Sequence, residues 1–174
     1  MGLDMYLKAE RYLSSWDEES KALKDTIHKA IGLGDIEPQS GTSVSIGVGY
    51  WRKANAIHQW FVDNVQDGED DCKEYDVSRE DLTNLRNLCA EVLEFVEPKF
   101  EQLQADESLK GIVGGLEDQI SEFCEENLPT QEGFFFGTYD YGEWYIQNLK
   151  DTIKQVDAVL TMSDNWWFKY QSSW

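Results

Sequence analysis

The first dozen residues alternate between apolar and other side chains, and this pattern constrains the fold more than any other feature of the chain. Leu3, Met5 and Leu7 are separated by Asp4 and Tyr6. A period of two residues is typical of a β-strand with one buried face. Such a strand needs partner strands and an apolar layer to cover it. The rest of the chain must therefore complete a sheet.

Two further segments predict strands of that sheet. Val44, Ile46 and Val48 alternate with small residues, and the last nine residues, WWFKYQSSW, are aromatic and strand-like. Gly47 and Gly49 predict a bulge or a close approach of two backbones within the middle strand. We therefore expect a small antiparallel sheet of an N-terminal strand, a strand near 44–50 and a C-terminal strand, in which the two terminal segments pair.

Helical patterns fill the segments between the predicted strands. Ser78 and Asp81 have the spacing of a capping box, and an apolar stripe at helical spacing follows them. Pro98 predicts that this helix ends or kinks near Glu97. Another helix is predicted after Ser14 and Ser15, which offer N-caps. Apolar stripes predict two short helices, near 53–65 and 116–123, and a last long helix over 145–160. The sequence thus predicts an α+β fold with four to five helices, in a single domain over residues 1–174.

Acidic side chains are concentrated in one part of the chain. The sequence has 34 acidic and 15 basic residues, and residues 67–126 alone hold 19 acidic and 5 basic ones. This acidic helical section carries −14 of the net charge of −19. A dense field of one sign attracts partners of the opposite sign and repels phosphates. We therefore expect no direct binding of DNA or RNA.

Composition and motif content argue against several other classes of protein. No apolar run approaches 18 residues, and the N-terminus lacks the basic and apolar regions of a signal peptide, so a cytoplasmic protein without a membrane segment is expected. The three cysteines are scattered and the histidines number two, which argues against a zinc site. The acidic run 67–78 lacks the glycine and glutamate of an EF-hand. No Walker, Rossmann or GxSxG motif predicts a cofactor or a catalytic residue.

The first candidate site is a surface formed by the acidic helical section. Carboxylates three or four residues apart on a helix lie about 5–6 Å from one another, close to the distance between phosphates along a nucleic-acid strand. The carboxylates predicted to contact a partner are Asp70, Asp71, Glu80, Glu91, Glu94, Glu117 and Glu122. They predict a surface that imitates nucleic acid. The alternative is the ordinary solvated surface of an acidic protein.

The second candidate site lies at the segment YWRKANAIHQWF, residues 50–61. Arg52, Lys53, Asn55 and His58 come at a predicted junction of strand and helix, where free N–H groups and two cations can hold a small anion or a nucleotide. His58 could act there as a general base. The aromatic segments 133–145 and 166–174 could supply further walls. In the structural alternative, Arg52 pairs with a carboxylate such as Asp4 and His58 is hydrogen-bonded beside the core.

Four separated blocks of the sequence resemble a widespread family of phage and prophage proteins of unknown function. The blocks are MGLDMYL, GYWRKANAIHQWFVDNVQDG, LPTQEGFFFGTYDYGEWY and YQSSW. The resemblance runs nearly end to end and implies a small cytoplasmic protein made from a mobile element. The family has no established activity, so the resemblance assigns no catalytic residue. Proteins of similar appearance occur among candidates for anti-CRISPR and other anti-defence functions.

These observations lead to two principal hypotheses and a third alternative. In the first, a phage-encoded anti-defence protein uses its acidic surface to occupy the basic channel of a host nuclease that is directed by nucleic acid. A type II CRISPR effector nuclease is the natural example of such a partner. In the second, the segment 50–58 forms the pocket of a sequestering protein or modest enzyme that takes a small anion or nucleotide. The third is a virion or assembly component.

Overall fold

A computed structural model describes residues 2–33, 41–133 and 135–174, so Phe134 of the aromatic segment lies outside the described residues. The strands are β1 (Asp4–Leu13), β2 (Thr42–Arg52), β3 (Tyr75–Val77) and β4 (Trp167–Ser173). The helices are α1 (Glu18–Ala30), α2 (Asn55–Asn64), α3 (Arg79–Ala105), α4 (Leu116–Asn127) and α5 (Glu143–Leu160), with a short 3-10 turn at Glu107–Leu109.

The four strands form one antiparallel sheet in the order β2-β1-β4-β3. Strand β1 lies in the middle, with Asp4 opposite Arg52 of β2 and opposite Ser173 of β4. The two terminal segments therefore pair, as the sequence predicts. The α+β class and the antiparallel sheet are confirmed. The short edge strand β3 was missed, because three residues within an acidic run are too few to show a period of two.

A bulge interrupts the pairing of β1 with β2 at the predicted glycines. Leu7 lies opposite Gly49 and Lys8 opposite Gly47, which leaves Val48 as an extra residue on β2. A Cβ atom on Gly49 would lie 3.1 Å from the Cβ of Leu7. The bulge confirms the prediction from the two glycines, and at Gly49 any larger residue would press against the side chain of Leu7.

The hydrophobic core lies between one face of the sheet and the helices. It contains Leu3, Met5 and Leu7 from the N-terminal segment, Phe168 and Tyr170 from β4, and apolar side chains of α2, α3, α4 and α5. On the same face of β1, the buried Arg11 forms an ion pair with Glu19 and so ties α1 to the sheet. The outer face of the sheet exposes Tyr6, Tyr50 and Trp167.

The longest helix, α3, confirms the capping box and corrects the predicted end. Ser78 accepts from the backbone N–H of Asp81, and the Asp81 side chain accepts from the Ser78 backbone. Its predicted apolar stripe is fully buried and consists of Leu82, Leu85, Cys89, Val92 and Val96. The helix nevertheless continues through Pro98 to Ala105, so an end near Glu97 is wrong. Packing of α3 against α4 and α5 supports the turn in which Pro98 lacks a donor.

The start of α1 also differs from the prediction. Asp17, rather than Ser14 or Ser15, caps the helix by accepting from the backbone N–H of Ser20 at 2.7 Å. Trp16 lies before the helix with 95 % of its surface exposed. None of the described helices is both long and apolar enough to cross a bilayer.

Candidate ligand-binding cleft and acidic surface

The predicted anion site begins where β2 ends and α2 starts. Arg52 is the last residue of β2, and Asn55 is the first of α2. Between them Lys53 has a left-handed backbone, with φ of 57°, and its N–H donates to the carbonyl of Leu3 at 2.8 Å. Ala54 is the N-cap residue and has no side-chain oxygen to offer. The N–H groups of the first turn therefore lack a side-chain cap.

A cleft of about 610 Å³ opens at this junction. Its walls come from the β2–α2 junction, from the segment 130–140 and from the first turns of α5. The polar side chains that line it include Arg52, Lys53, Asn55, Thr138, Asp140 and Asn148. The volume lies within the range of cavities that hold small-molecule ligands. Three of the four residues predicted for the alternative pocket thus meet at one cleft.

Asn55 holds one wall of the cleft in place. Its Nδ2 donates to the carbonyl of Thr138 at 2.9 Å and to that of Phe136 at 3.3 Å, and only 3 % of the residue is exposed. Gly137 lies between these acceptors with φ of 102°, and a Cβ there would lie 3.0 Å from the Cβ of Lys53. Asn55 therefore positions the segment 136–138 directly against the β2–α2 junction.

The cations of the cleft are available to a ligand. The Nε atom of Arg52 lies 4.0 Å from Oδ1 of Asp4, at the limit of an ion pair, and 63 % of the arginine side chain is exposed. This contact with Asp4 is the pairing that the structural alternative named. An exposed pair at this distance is worth little. Within the described ranges the ammonium of Lys53 has no hydrogen bond or ion pair.

Helix α5 contributes an exposed indole to the cleft. Trp144 is in the first turn of the helix with 73 % of its surface exposed, although most tryptophans pack their ring against neighbours. Asn148 lines the cleft one turn later. The sequence marks 133–145 as aromatic but does not distinguish Trp144 from its neighbours. It carries no signal for Thr138, Asp140 or Asn148, whose positions depend on how the segment 130–140 folds back.

His58 does not line the cleft. It is fully buried, with Nδ1 2.7 Å from the Tyr170 hydroxyl and Nε2 2.9 Å from Oδ1 of Asp70. A carboxylate only accepts, so Nε2 carries the proton and Nδ1 accepts from Tyr170. Burial lowers the pKa of His58, and the opposing attraction of Asp70 is the smaller effect. His58 is therefore a hydrogen-bonded residue beside the core, as the structural alternative has it. It does not lie where it could act as a general base at the cleft.

Two of the seven predicted partner-binding carboxylates lie in the acidic loop, and both already have side-chain partners within the molecule. Asp70 accepts from His58 and from Nε1 of Trp174 at 3.2 Å. Asp71 forms an ion pair with Lys73 at 2.6 Å and accepts from the Tyr75 hydroxyl. The hydrogen bond from Lys73 lowers the pKa of Asp71. These carboxylates hold the acidic loop against β3 and the C-terminus.

The other five predicted carboxylates are exposed on helices. Glu80, Glu91 and Glu94 lie on α3 opposite its buried stripe, and in the part of the chain that the structure describes they form no ion pair. Glu117 and Glu122 are exposed on α4, where Glu117 accepts from the N–H of Gly111 at 2.9 Å. The outer side of α3 is therefore an uncompensated row of negative charge.

Neither a metal-binding cluster among the described residues nor a similar protein assigns a function to this chain. Within residues 2–33, 41–133 and 135–174, no group of three or more His, Cys, Asp or Glu side chains is arranged to hold a metal ion. Comparison with protein-family models, curated proteins and solved structures finds no match for the chain. A functional assignment therefore depends on the cleft and on the charged outer side of α3.

Proposed function

We propose that the protein binds a small anionic ligand in the cleft at the β2–α2 junction. The observation that carries the proposal is a cleft of about 610 Å³ lined by two exposed cations. Arg52 has only the long, exposed contact with Asp4, and Lys53 has no ion pair among the described residues. The uncapped first turn of α2 adds N–H donors and the positive end of a helix dipole. Apolar walls, including Ile57 and Leu149, strengthen these charge interactions by excluding water.

The two cations are unusual for this chain, which supports a local role for them. The net charge is −19, and the long-range field of the molecule therefore repels anions. A site for an anion must concentrate positive charge at short range, and Arg52 and Lys53 do so at consecutive positions. Electrostatic steering would not assist such a ligand, so its association should be slower than for a positively charged protein.

Binding, rather than catalysis, is the activity that we propose. Among the described residues that line the cleft there is no serine, cysteine or histidine. The walls therefore lack the three residue types that most often act as nucleophile or transfer protons near neutral pH. We therefore propose that the protein sequesters or senses its ligand.

Calorimetric titration with inorganic phosphate and pyrophosphate tests this proposal. Arg52→Ala should weaken binding of pyrophosphate about tenfold or more, because a hydrogen bond to a charged group contributes about 1.5–3 kcal/mol. Lys154→Ala is the matched control, since it removes one exposed positive charge from α5 outside the cleft. Equal weakening by the two variants, or no binding of either anion, would contradict the proposal.

A second candidate function follows from the outer side of α3. We propose as an alternative that this row of carboxylates binds the basic nucleic-acid channel of a host nuclease, such as a type II CRISPR effector. The supporting observation is that Glu80, Glu91 and Glu94 are exposed without ion pairs among the described residues. The resemblance to phage and prophage proteins supports the same alternative. Contacts of this kind release counterions and weaken as salt is added.

Charge reversal on two helices tests the second candidate. Glu91→Lys should weaken binding to a guide-loaded type II effector nuclease, whereas Asp25→Lys should not. Both change an exposed helical carboxylate to lysine, but Asp25 lies on α1. Affinity of the unmodified protein should fall steeply between about 50 and 200 mM salt. Binding that is insensitive to salt, or equally affected by both variants, would argue against this function.

A further inference from the structure

We infer that the ligand of the cleft is a nucleoside monophosphate, with its phosphate at Arg52 and Lys53 and its base stacked on Trp144. This inference rests on the proposed function and adds the chemistry of the rest of the ligand. It depends on three observations: an exposed indole at the cleft, an unpaired carboxylate among the described residues of the same lining, and a volume too large for a simple inorganic anion.

The indole of Trp144 is a free stacking surface. Among the described residues it makes no hydrogen bond and no contact with another ring, and 73 % of the residue is exposed at the lining of the cleft. Trp51 and Trp60 show the ordinary alternative, because both are buried and pack against Phe61. A planar, electron-rich ring at the edge of a cleft is suited to stack on an aromatic base.

Asp140 argues against an inorganic anion as the whole ligand. Its carboxylate lines the same cleft as Arg52 and Lys53, and within the described ranges it has no hydrogen bond or ion pair. A carboxylate repels phosphate but accepts hydrogen bonds from hydroxyl groups. Acidic side chains bind ribose hydroxyls in this way in dinucleotide-binding folds. In a ligand that carries both a phosphate and a sugar, the phosphate can bind the two cations and the sugar hydroxyls can donate to Asp140.

The size and the remaining polar groups of the cleft fit the same class of ligand. A volume of about 610 Å³ is typical of sites that enclose an organic molecule with several functional groups. Asn148 and Thr138 add an amide and a hydroxyl to the lining, and both can donate and accept. Apolar side chains, including Ile57 and Leu149, line much of the rest, as a base and a sugar ring require.

The test compares four ligands: adenosine 5′-monophosphate, ribose 5-phosphate, adenosine and inorganic phosphate. Titration calorimetry should show that the nucleotide binds at least about tenfold more tightly than any of the other three. Trp144→Ala should weaken binding of the nucleotide about tenfold, the usual loss for removal of one stacking ring, and leave ribose 5-phosphate unchanged. Trp16→Ala is the matched control, because Trp16 is exposed but lies outside the cleft.

The outcomes separate this inference from the proposed function. If ribose 5-phosphate or inorganic phosphate binds as tightly as the nucleotide and Arg52→Ala abolishes that binding, the anion site stands and the nucleoside inference is overturned. Equal effects of Trp144→Ala and Trp16→Ala on nucleotide binding also overturn the inference. If none of the four ligands binds, both the inference and the anion site fail. Asp140→Asn should weaken the nucleotide and ribose 5-phosphate, and strengthen inorganic phosphate.

Discussion

At the scale of single residues, Lys53 is one of two described non-glycine residues with a left-handed backbone, the other being Asp67. The φ of 57° at Lys53 is a left-handed conformation, which costs a residue with a Cβ about 1–2 kcal/mol. The hydrogen bond from its N–H to Leu3 and the close approach of Gly137 hold it there. Glycine would adopt this conformation with less strain. A lysine in such a position is consistent with a functional role for its ammonium group.

Two substitutions of Lys53 should separate its strain from its charge. Lys53→Gly should raise the free energy of unfolding by up to about 1 kcal/mol, because glycine relieves the left-handed strain, and should weaken anion binding. Lys53→Ala should weaken binding to a similar degree without stabilising the fold, since it keeps the Cβ. Denaturant unfolding and calorimetric titration measure the two effects. A glycine variant no more stable than the alanine variant would show that the strain is unimportant.

At the scale of elements, α3 combines a capped start with a proline in its interior. The capping box at Ser78 satisfies the first turn, and the apolar stripe packs against α5 and α4. Phe95 of α3 stacks on Phe123 of α4 with ring centroids 3.9 Å apart. Pro98 is exposed between these contacts and cannot donate to the carbonyl of Glu94. The helix is therefore maintained at this point by packing rather than by its backbone bonds.

Pro98→Ala should stabilise the protein. Alanine restores the backbone hydrogen bond to Glu94 and removes the clash of the ring, and we expect the free energy of unfolding to rise by on the order of 1 kcal/mol. Gln102→Ala, at another exposed position of α3, should change it by less than about 0.5 kcal/mol. Urea unfolding monitored by circular dichroism measures both. Destabilisation by Pro98→Ala would mean that α4 and α5 pack only on a bent helix.

At the scale of the whole molecule, the hydrogen bonds of His58 join parts of the chain that are far apart in sequence. His58 on α2 contacts Tyr170 of β4 and Asp70 of the acidic loop, and Asp70 also accepts from the C-terminal Trp174. Phe136 packs edge-on against the imidazole. Protonation of His58 would disrupt this network, because Nδ1 could no longer accept from the Tyr170 hydroxyl.

The stability of the protein should therefore fall in mildly acidic solution. Burial lowers the pKa of His58 below its usual 6.5, so the unfolded chain binds a proton more readily than the folded one. The contribution of neutral His58 to the free energy of unfolding is complete above pH 6.5. It is lost as the pH falls toward the lowered pKa of the folded state. The pKa values of carboxylates such as Asp71 and Asp157 are lowered from the usual 3.8. These groups therefore change protonation, and affect stability, only in more acidic solution than His58 does.

Unfolding free energies measured at about pH 7.5, 6.5 and 5.5 check this expectation. His58→Gln should remove most of the loss of stability over this range, although the variant is less stable at the highest pH. His28→Gln is the matched control, since the chain has only two histidines and His28 bonds to Thr42 outside the core. Stability that rises as the pH falls would show that Asp70 dominates the titration of His58.

Features of the fold that depend on local periodicity were predictable. The alternation of Leu3, Met5 and Leu7 and the helical stripe behind Ser78 record which face of each element is buried. The pairing of the two chain ends followed because an isolated strand must find a partner. The N-cap of α1 and an end of α3 near Glu97 were predicted incorrectly, because neighbouring carboxylates compete as caps and tertiary packing overrides a local preference.

The same distinction holds for the candidate site, of which only the locally encoded part was predictable. The sequence by itself determined that Arg52, Lys53 and the first turn of a helix lie together, because these groups are adjacent along the chain. Only the tertiary structure decided that Thr138, 83 residues from Asn55, closes a wall against them, and that His58 points into the core instead. A buried face leaves a repeating pattern in its own segment. A cleft forms where distant segments fail to meet, so no single segment records it.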